Sequence, residues 1–503
     1  MRLKNELLYR GNAVLDNEVT SSVTKEHSLR ANGISAAGAI VMAVAGSAPA
    51  YSIAATTATL VAAAGLGSPA ALLWCGLPML GIAWAFAYLG RADVNAGASY
   101  SWVGRALHPI LGFFSGWALV VSATIFMVAG ALPAGVATVS LFAPDAVDNI
   151  GLVTAVGAVW FLIMALCVLI GVKLTARAQW IMTSIEVGIL VIFALLAIIR
   201  AASSTPGGTA FSWNWFSLSN FDGTGSFIAA ALIAAFFFWG WDVSSNLSEE
   251  TENAKKSSGL GGIIGVVIVF ALLEVFVVAI QVVLPAKVIQ ENSGNVLGVL
   301  GEAILPGVGG KILILAVMLS TIATLETTLI QVTRTLFAMG RDNTIPRAFG
   351  RSHAKWQTPA FATMVVTGVA LVLFIGSNFL GSVGDILTAA ISSIGLQIAF
   401  YYALAGIAVV VAYRKIIFTS VRNFLFIGLW PAAGAAFMIW VFVASIPAST
   451  TLVLIIGIGS LGVGIVPVAV FWRRGAGYFR RRPLELPSEL TGKVPVIPSG
   501  ARR

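Results

Sequence analysis

The chain has 503 residues, of which 58% are hydrophobic and only 10% charged, and its mean hydropathy is +0.93. That balance excludes an ordinary soluble domain, in which charged residues make up about a quarter of the chain. The net charge of +9 reflects topology and lipid headgroups rather than nucleic acid, because the basic residues fall in the two chain ends and in short connections between apolar runs.

Apolar runs of about 20 residues, enough to cross about 30 Å of hydrocarbon, recur along the chain. Alternating segments of about ten, the mark of a barrel, do not. Residues 1–30 are polar, with no cleavable signal, so the first helix is its own insertion signal. Spans are then predicted near 33–64, 69–90, 109–139, 150–171, 178–200, 225–247, 260–284, 310–340, 359–377, 383–412, 422–444 and 451–472, twelve in all, before a polar tail over 474–503. With the N-terminus inside, only Arg200, Lys287 and Lys311 of the 30 Lys and Arg fall outside. The sequence thus predicts a multi-pass protein of the cell membrane with both termini cytoplasmic. Cys75 and Cys167 lie within spans with no metal-ligand spacing around them, so no metal or disulfide framework is indicated.

Two spans are interrupted. The first carries Gly46 and Pro49 at its middle, and the sixth carries "WGWDVSS" in its second half. Both residue types favour local unwinding, and unwound backbone in a membrane must be buried or line a wet cavity. Split as five and five, the first ten spans put each break in the first helix of its half. An odd number of helices per half inverts one half relative to the other, and paired breaks in inverted halves mark a transporter's binding site. The expected organisation is a first repeat over 31–201, an outer loop over 202–224, a second repeat over 225–413 and two further helices over 414–473.

Each break carries chemistry. A half-helix starting near Ala50 offers unpaired amides and a positive dipole end, which suit a carboxylate. Pro49 removes one such donor, while Ser47 can add a hydroxyl. In the sixth span, free carbonyls at Phe238, Trp239 and Gly240 suit an ammonium group, and Asp242 adds a full negative charge. That carboxylate either caps the following half-helix or touches cargo. Phe236 to Trp241 supply rings that can cover a cation for about 0.5–2 kcal/mol. Glu186, Glu274, Glu326 and Asp385 also lie within spans with no Lys or Arg equally deep. Such acids point to cationic cargo, a coupling ion or carboxyls kept neutral.

The segments "GSAPAYS", "NAGASYSWVGRALHPILGFFSGW" (95–117), "GWDVSSNLSEET" and "TRTLFAMGRDNTIPRAFGRSHAKWQTPAF" (333–361) together resemble the amino acid–polyamine–organocation family of permeases, over about residues 30–475. The resemblance implies an all-α, LeuT-like five-plus-five inverted repeat, here with two C-terminal helices. It also implies movement of amino acids or related amines, with proton coupling or exchange.

In that family the first break holds a substrate carboxylate, which assigns Gly46, Ser47, Ala48 and Ala50 to substrate. The second break holds the ammonium, which assigns Phe238, Trp239, Gly240 and Asp242, with Trp239 or Phe238 closing over the cargo. "GSAPA" departs from the family's small triplet and weakens the case for an α-amino acid. Helices 3, 8 and 10 should line the site, with Glu326, Ser122 and Gln397 as polar contacts. Glu186 falls where proton-coupled relatives place a lysine, so it is the expected ion-coupling residue, with sodium left open. Glu249 and Glu250 are expected to pair with inner basic residues as a cytoplasmic gate.

The sequence therefore predicts a secondary transporter of amino acids working by alternating access, with polyamines or other organic amines as the alternative cargo. No cofactor beyond a coupling ion is expected. A channel and an intramembrane enzyme are the rivals, but no nucleophile with its base stands at membrane depth. "GIGSLG" (457–462) lacks the strand that a dinucleotide site requires.

Overall fold

The computed structural model describes residues 28–202, 207–377, 379, 383–480 and 483–486. Most of the expected leader and part of the expected tail therefore lie outside the described residues.

The described chain is helical throughout, apart from one isolated bridge between Ile34 and Thr251. The first span is two helices, α1 (Ala36–Ser47) and α2 (Pro49–Ala64), and α3 (Ser68–Ala92) returns beside them. Then follow a short α4 (Ser99–Ala106), α5 (Pro109–Phe142), α6 (Ile150–Ile170) and α7 (Val172–Ala202). The sixth span is again split, into α8 (Thr224–Phe237) and α9 (Val243–Asn246). After α10 (Ala254–Val283), the short α11 (Ala286–Glu291) and α12 (Val296–Ile304) lead to α13 (Gly309–Arg341). The chain closes with α14 (Ala360–Ser377), α15 (Val383–Tyr413), α16 (Val421–Ser445) and α17 (Thr451–Arg473).

Helix starts follow local chemistry. Ser35, Asn149 and Thr450 accept backbone N–H bonds as N-caps, and Pro49 and Pro109 stand in the first turn, where no donor is lost.

Among the described residues, ten segments are long and apolar enough to cross a membrane. The twelve expected spans fall on ten because the first two run together in Ala36–Ala92 and the sixth is a helix of only 14 residues. About 17 are needed to cross. The core lies where α13 packs along α5, α10 along α3, and α15 against α5 and α16. The outer helices α6, α7, α14 and α17 instead expose rows of large apolar residues, including Ile163, Ile181, Val372 and Val466. A surface of that kind is a lipid contact. The bundle is a multi-pass membrane protein whose polar side chains are turned inward.

Candidate functional site

The two breaks meet at the centre of the bundle. Ala48 takes up the left-handed region at φ 46°, its N–H still reaching Val44 O (3.1 Å) and Ala45 O (3.2 Å), and Pro49 opens α2. For an alanine that conformation costs about 1–2 kcal/mol. In the other break Gly240 has φ 95°. A Cβ on Gly46 would run into the Gly240 carbonyl, and one on Gly240 into the Gly46 carbonyl. Glycine at both positions is what lets the two unwound backbones touch. Thr324 of α13 completes the junction by donating its hydroxyl to Gly46 O (3.0 Å).

The donors expected for a substrate carboxylate are engaged within the protein. The Ala50 N–H donates to Glu186 Oε1 of α7 at 3.0 Å, and the Tyr51 N–H donates to Ser320 Oγ of α13 at 3.1 Å. The Ser47 hydroxyl donates back to Ala43 O (3.2 Å). Glu186, expected only as a coupling residue, is thus also the carboxylate at the head of α2. Of the carbonyls expected to be free, that of Gly240 accepts the Val243 N–H (3.2 Å).

Asp242 is fully buried and makes no side-chain cap to α9, so the capping alternative is not what the geometry shows. Its Oδ2 accepts from Tyr401 and its Oδ1 from Tyr402, both at 3.0 Å. The two tyrosines are neighbours on α15 and grip the carboxylate from both sides. The Gln331 amide of α13 stands close to the same carboxylate, and its Nε2 makes no hydrogen bond. Trp239 donates Nε1–H to the Tyr401 oxygen at 2.7 Å, so indole, phenol and carboxylate form a chain.

The aromatic alternatives separate. Trp239 stands edge-on to Phe126 (5.5 Å), whereas Phe238 stacks on Phe270 of α10 (5.8 Å). Tyr51 meets Phe126 and Phe236 edge-on, with its hydroxyl on Ala129 O. These rings form a layer over the Asp242 group. Tyr51 also lines a cavity of about 340 Å³ that runs between Pro133, Val136 and Leu387 to the loop at Asn292 and Asn295.

The other end, where most of the Lys and Arg gather, is latched. Glu250 and Arg334 form a two-pronged pair (2.9 and 3.1 Å) with both side chains fully buried. Glu249 pairs with Arg341 (2.7 Å) and accepts the Ala96 N–H (2.9 Å). The Glu250 carbonyl takes the N–H groups of Gly33 and Ile34 (2.7 and 3.0 Å), tying the turn after α9 to the segment that leads into α1. Tyr478, beyond α17, stacks on Tyr100 of α4 (4.6 Å) and donates to its carbonyl (3.0 Å).

Three expected contacts lie elsewhere. Glu326 faces α7, accepting from Gln179 at 2.6 Å. Gln397 turns to α17, donating to Gly457 O (3.1 Å) and Ser460 Oγ (3.0 Å), and Ser122 bonds within its own helix to Leu119 O (3.0 Å). A helix turns 100° per residue, so being on a lining helix does not fix the direction of a side chain. Glu274 lies on α10 with no partner for either oxygen. Asp385 falls among residues whose side chains are not described. Sequence reasoning missed Tyr51, Tyr401 and Tyr402. The signal was present in "AFYYALAG" (399–406), since tyrosine at membrane depth requires a partner for its hydroxyl.

Comparison with known proteins bears on this arrangement. The sequence model of a family described as "Amino acid permease" matches residues 32–466. The chain is similar to the methylthioribose transporter of Bacillus subtilis (strain 168), with 27% identity covering 80% of this chain and 86% of that protein. It is also similar to the low-affinity putrescine importer PlaP of Escherichia coli (strain K12), with 25% identity covering 60% and 66%. The branched-chain amino acid permease BcaP of B. subtilis (strain 168) shares 28% identity, covering 61% and 67%. These relatives are transporters, not enzymes.

Proposed function

Because this chain belongs to the amino acid permease family, we propose that it is a secondary transporter of the cell membrane that carries organic amines by alternating access. The observation that carries the choice of cargo is the pairing of Asp242 with Tyr401 and Tyr402, beside an Ala50 N–H already taken by Glu186. A buried carboxylate with no cation against it attracts an ammonium group, and a half-helix whose leading amide is occupied offers little to a substrate carboxylate. Amino acids are the second reading, favoured by the names of several relatives, since release of Glu186 would free the same amide.

The reading includes twelve spans in a five-plus-five inverted repeat, with the latched, basic end facing the cytoplasm. The pairing of Glu249 and Glu250 with arginines, and a cavity reaching Tyr51 from the other side, support reading this as a state closed inward. Cargo would enter through that cavity, pass the rings of Tyr51, Phe126, Phe236 and Trp239, and meet Asp242. Opening the latch would then release it. Coupling to the proton gradient is part of the proposal, with Glu186 at the break as the first proton acceptor.

The test is uptake by purified protein in lipid vesicles, with putrescine, lysine, leucine and methylthioribose offered under imposed proton and sodium gradients. Saturable accumulation of putrescine under a proton gradient is expected. Accumulation of leucine with no effect of amines would instead select the amino acid reading.

A further inference from the structure

Along the contact of α7 with α13 runs a line of buried polar side chains that the cargo route does not use. Thr175, Gln179, Thr183 and Glu186 recur every three or four residues and share one face of α7. None is more than 4% exposed. From α13, Ser320 stands against the Glu186 carboxyl, while the Glu326 carboxyl accepts from Gln179 (2.6 Å) with Thr175 beside it, whose hydroxyl donates to Gly171 O (3.1 Å). Gln179 also donates to Ala323 O (2.9 Å).

Four atoms in this line lack any partner: Glu186 Oε2, Thr183 Oγ1, Gln179 Oε1 and Glu326 Oε1. Buried polar atoms are almost always satisfied, so four orphans in one file point to exchangeable occupants. Neither carboxyl belongs to any of the four ion pairs among the described residues, and no cluster there could hold a metal ion. The titratable neighbour of Glu326 is the Cys167 thiol of α6.

We propose that this seam is a proton path, in which Glu186 receives the proton beside the first break and Glu326 delivers it toward the basic end. The inference rests on the transport reading and adds a second carboxyl to its coupling. The upper end adjoins the cavity, because Tyr51 lines that cavity and its N–H bonds Ser320. The lower end is close to the surface, because Thr175 stands in the first turn of α7.

Glu186 and Gln179 are seven residues apart, roughly 10 Å along the axis at 1.5 Å per residue. Water on the free oxygens of Thr183 and Gln179 bridges that gap. An O–H bond breaks at Glu186, each bridging water forms one and gives one up, and one forms at Glu326; Glu186 is then reprotonated from the cavity side and Glu326 releases its proton toward the basic end. Cargo and proton then use two faces of α13: Thr324 faces the break at Gly46, and Glu326 faces α7.

The test compares wild type with Glu326→Gln, which keeps size and the acceptor for Gln179 but cannot carry a proton. Purified protein in vesicles is assayed for putrescine accumulation under a proton gradient and for putrescine counterflow with no gradient. The ratio of the first to the second is expected to fall about a hundredfold in Glu326→Gln and to recover substantially in Glu326→Asp. A structural role would lower both rates together and leave the ratio unchanged, which would overturn the path while leaving the transport reading intact. Accumulation by wild type under sodium alone would also overturn it. If wild type carries none of the cargoes offered, the transport reading fails, and infrared titration of the buried carboxyls decides the path by itself. The path requires Glu326→Gln to shift the protonation of Glu186, and identical titration of Glu186 in both proteins would refute it.

Discussion

The carboxylate of Glu186 accepts the N–H of Ala50 at 3.0 Å, although the two residues are 136 positions apart. The positive end of α2, which an incoming carboxylate would seek, is therefore answered by the protein itself. Glu186→Ala frees that amide. We expect the variant to bind α-amino acids more tightly relative to their decarboxylated amines, by about 10–100-fold, since a hydrogen bond to a charged group is worth about 1.5–3 kcal/mol. Competition binding with lysine and cadaverine on purified protein measures the ratio, and an unchanged ratio would detach Glu186 from cargo selection.

Asp242→Asn removes the charge gripped by Tyr401 and Tyr402 while keeping the shape. Amine affinity should fall by about 10–100-fold, the equivalent of about 1.4–2.8 kcal/mol. Tyr402→Phe should cost less, about threefold to tenfold, because a neutral donor is lost and the charge stays. Isothermal titration with putrescine tests both, and equal affinity in wild type and Asp242→Asn would exclude contact between this carboxylate and an ammonium.

Breaking the buried pair of Glu250 with Arg334 leaves an uncompensated charge in the bundle. Arg334→Met should destabilise the protein by about 3–5 kcal/mol, while the double replacement Glu250→Met with Arg334→Met should restore much of that loss. Thermal unfolding in detergent reads the stability. If the pair is also the latch, the double variant should admit water-soluble thiol reagents to a cysteine placed at Ala96, which in the wild type is buried.

Glycine at 240 serves the crossing of the two breaks. Gly240→Ala meets both a φ of 95° and the Gly46 carbonyl, so folded yield should collapse. Gly188→Ala on α7 meets open space, and is expected to be neutral or to stabilise by up to about 1 kcal/mol. Gel-filtration profiles of the two variants give the contrast, and a well-folded Gly240→Ala would mean that the breaks separate at little cost.

What the amino-acid sequence determined by itself is the membrane setting, the run of apolar helices, the two interruptions and the crowding of basic residues at one end. All of these depend on composition over a window of neighbours or on backbone breakers such as Pro49 and Gly240, so no distant contact is needed to read them. Charge alone suggested that Glu249 and Glu250 would meet basic residues, but only packing decided that Arg341 takes the first and Arg334 the second. Only the tertiary structure decided where each buried side chain points. It brings Tyr401 to Asp242 across 159 positions, turns Phe238 toward Phe270, sends Gln397 to α17 and sets Glu326 against α7. In an apolar chain nearly every helix face reads as a candidate for burial, so the direction of a single polar group is fixed by which partner can satisfy it, and that partner is remote in sequence.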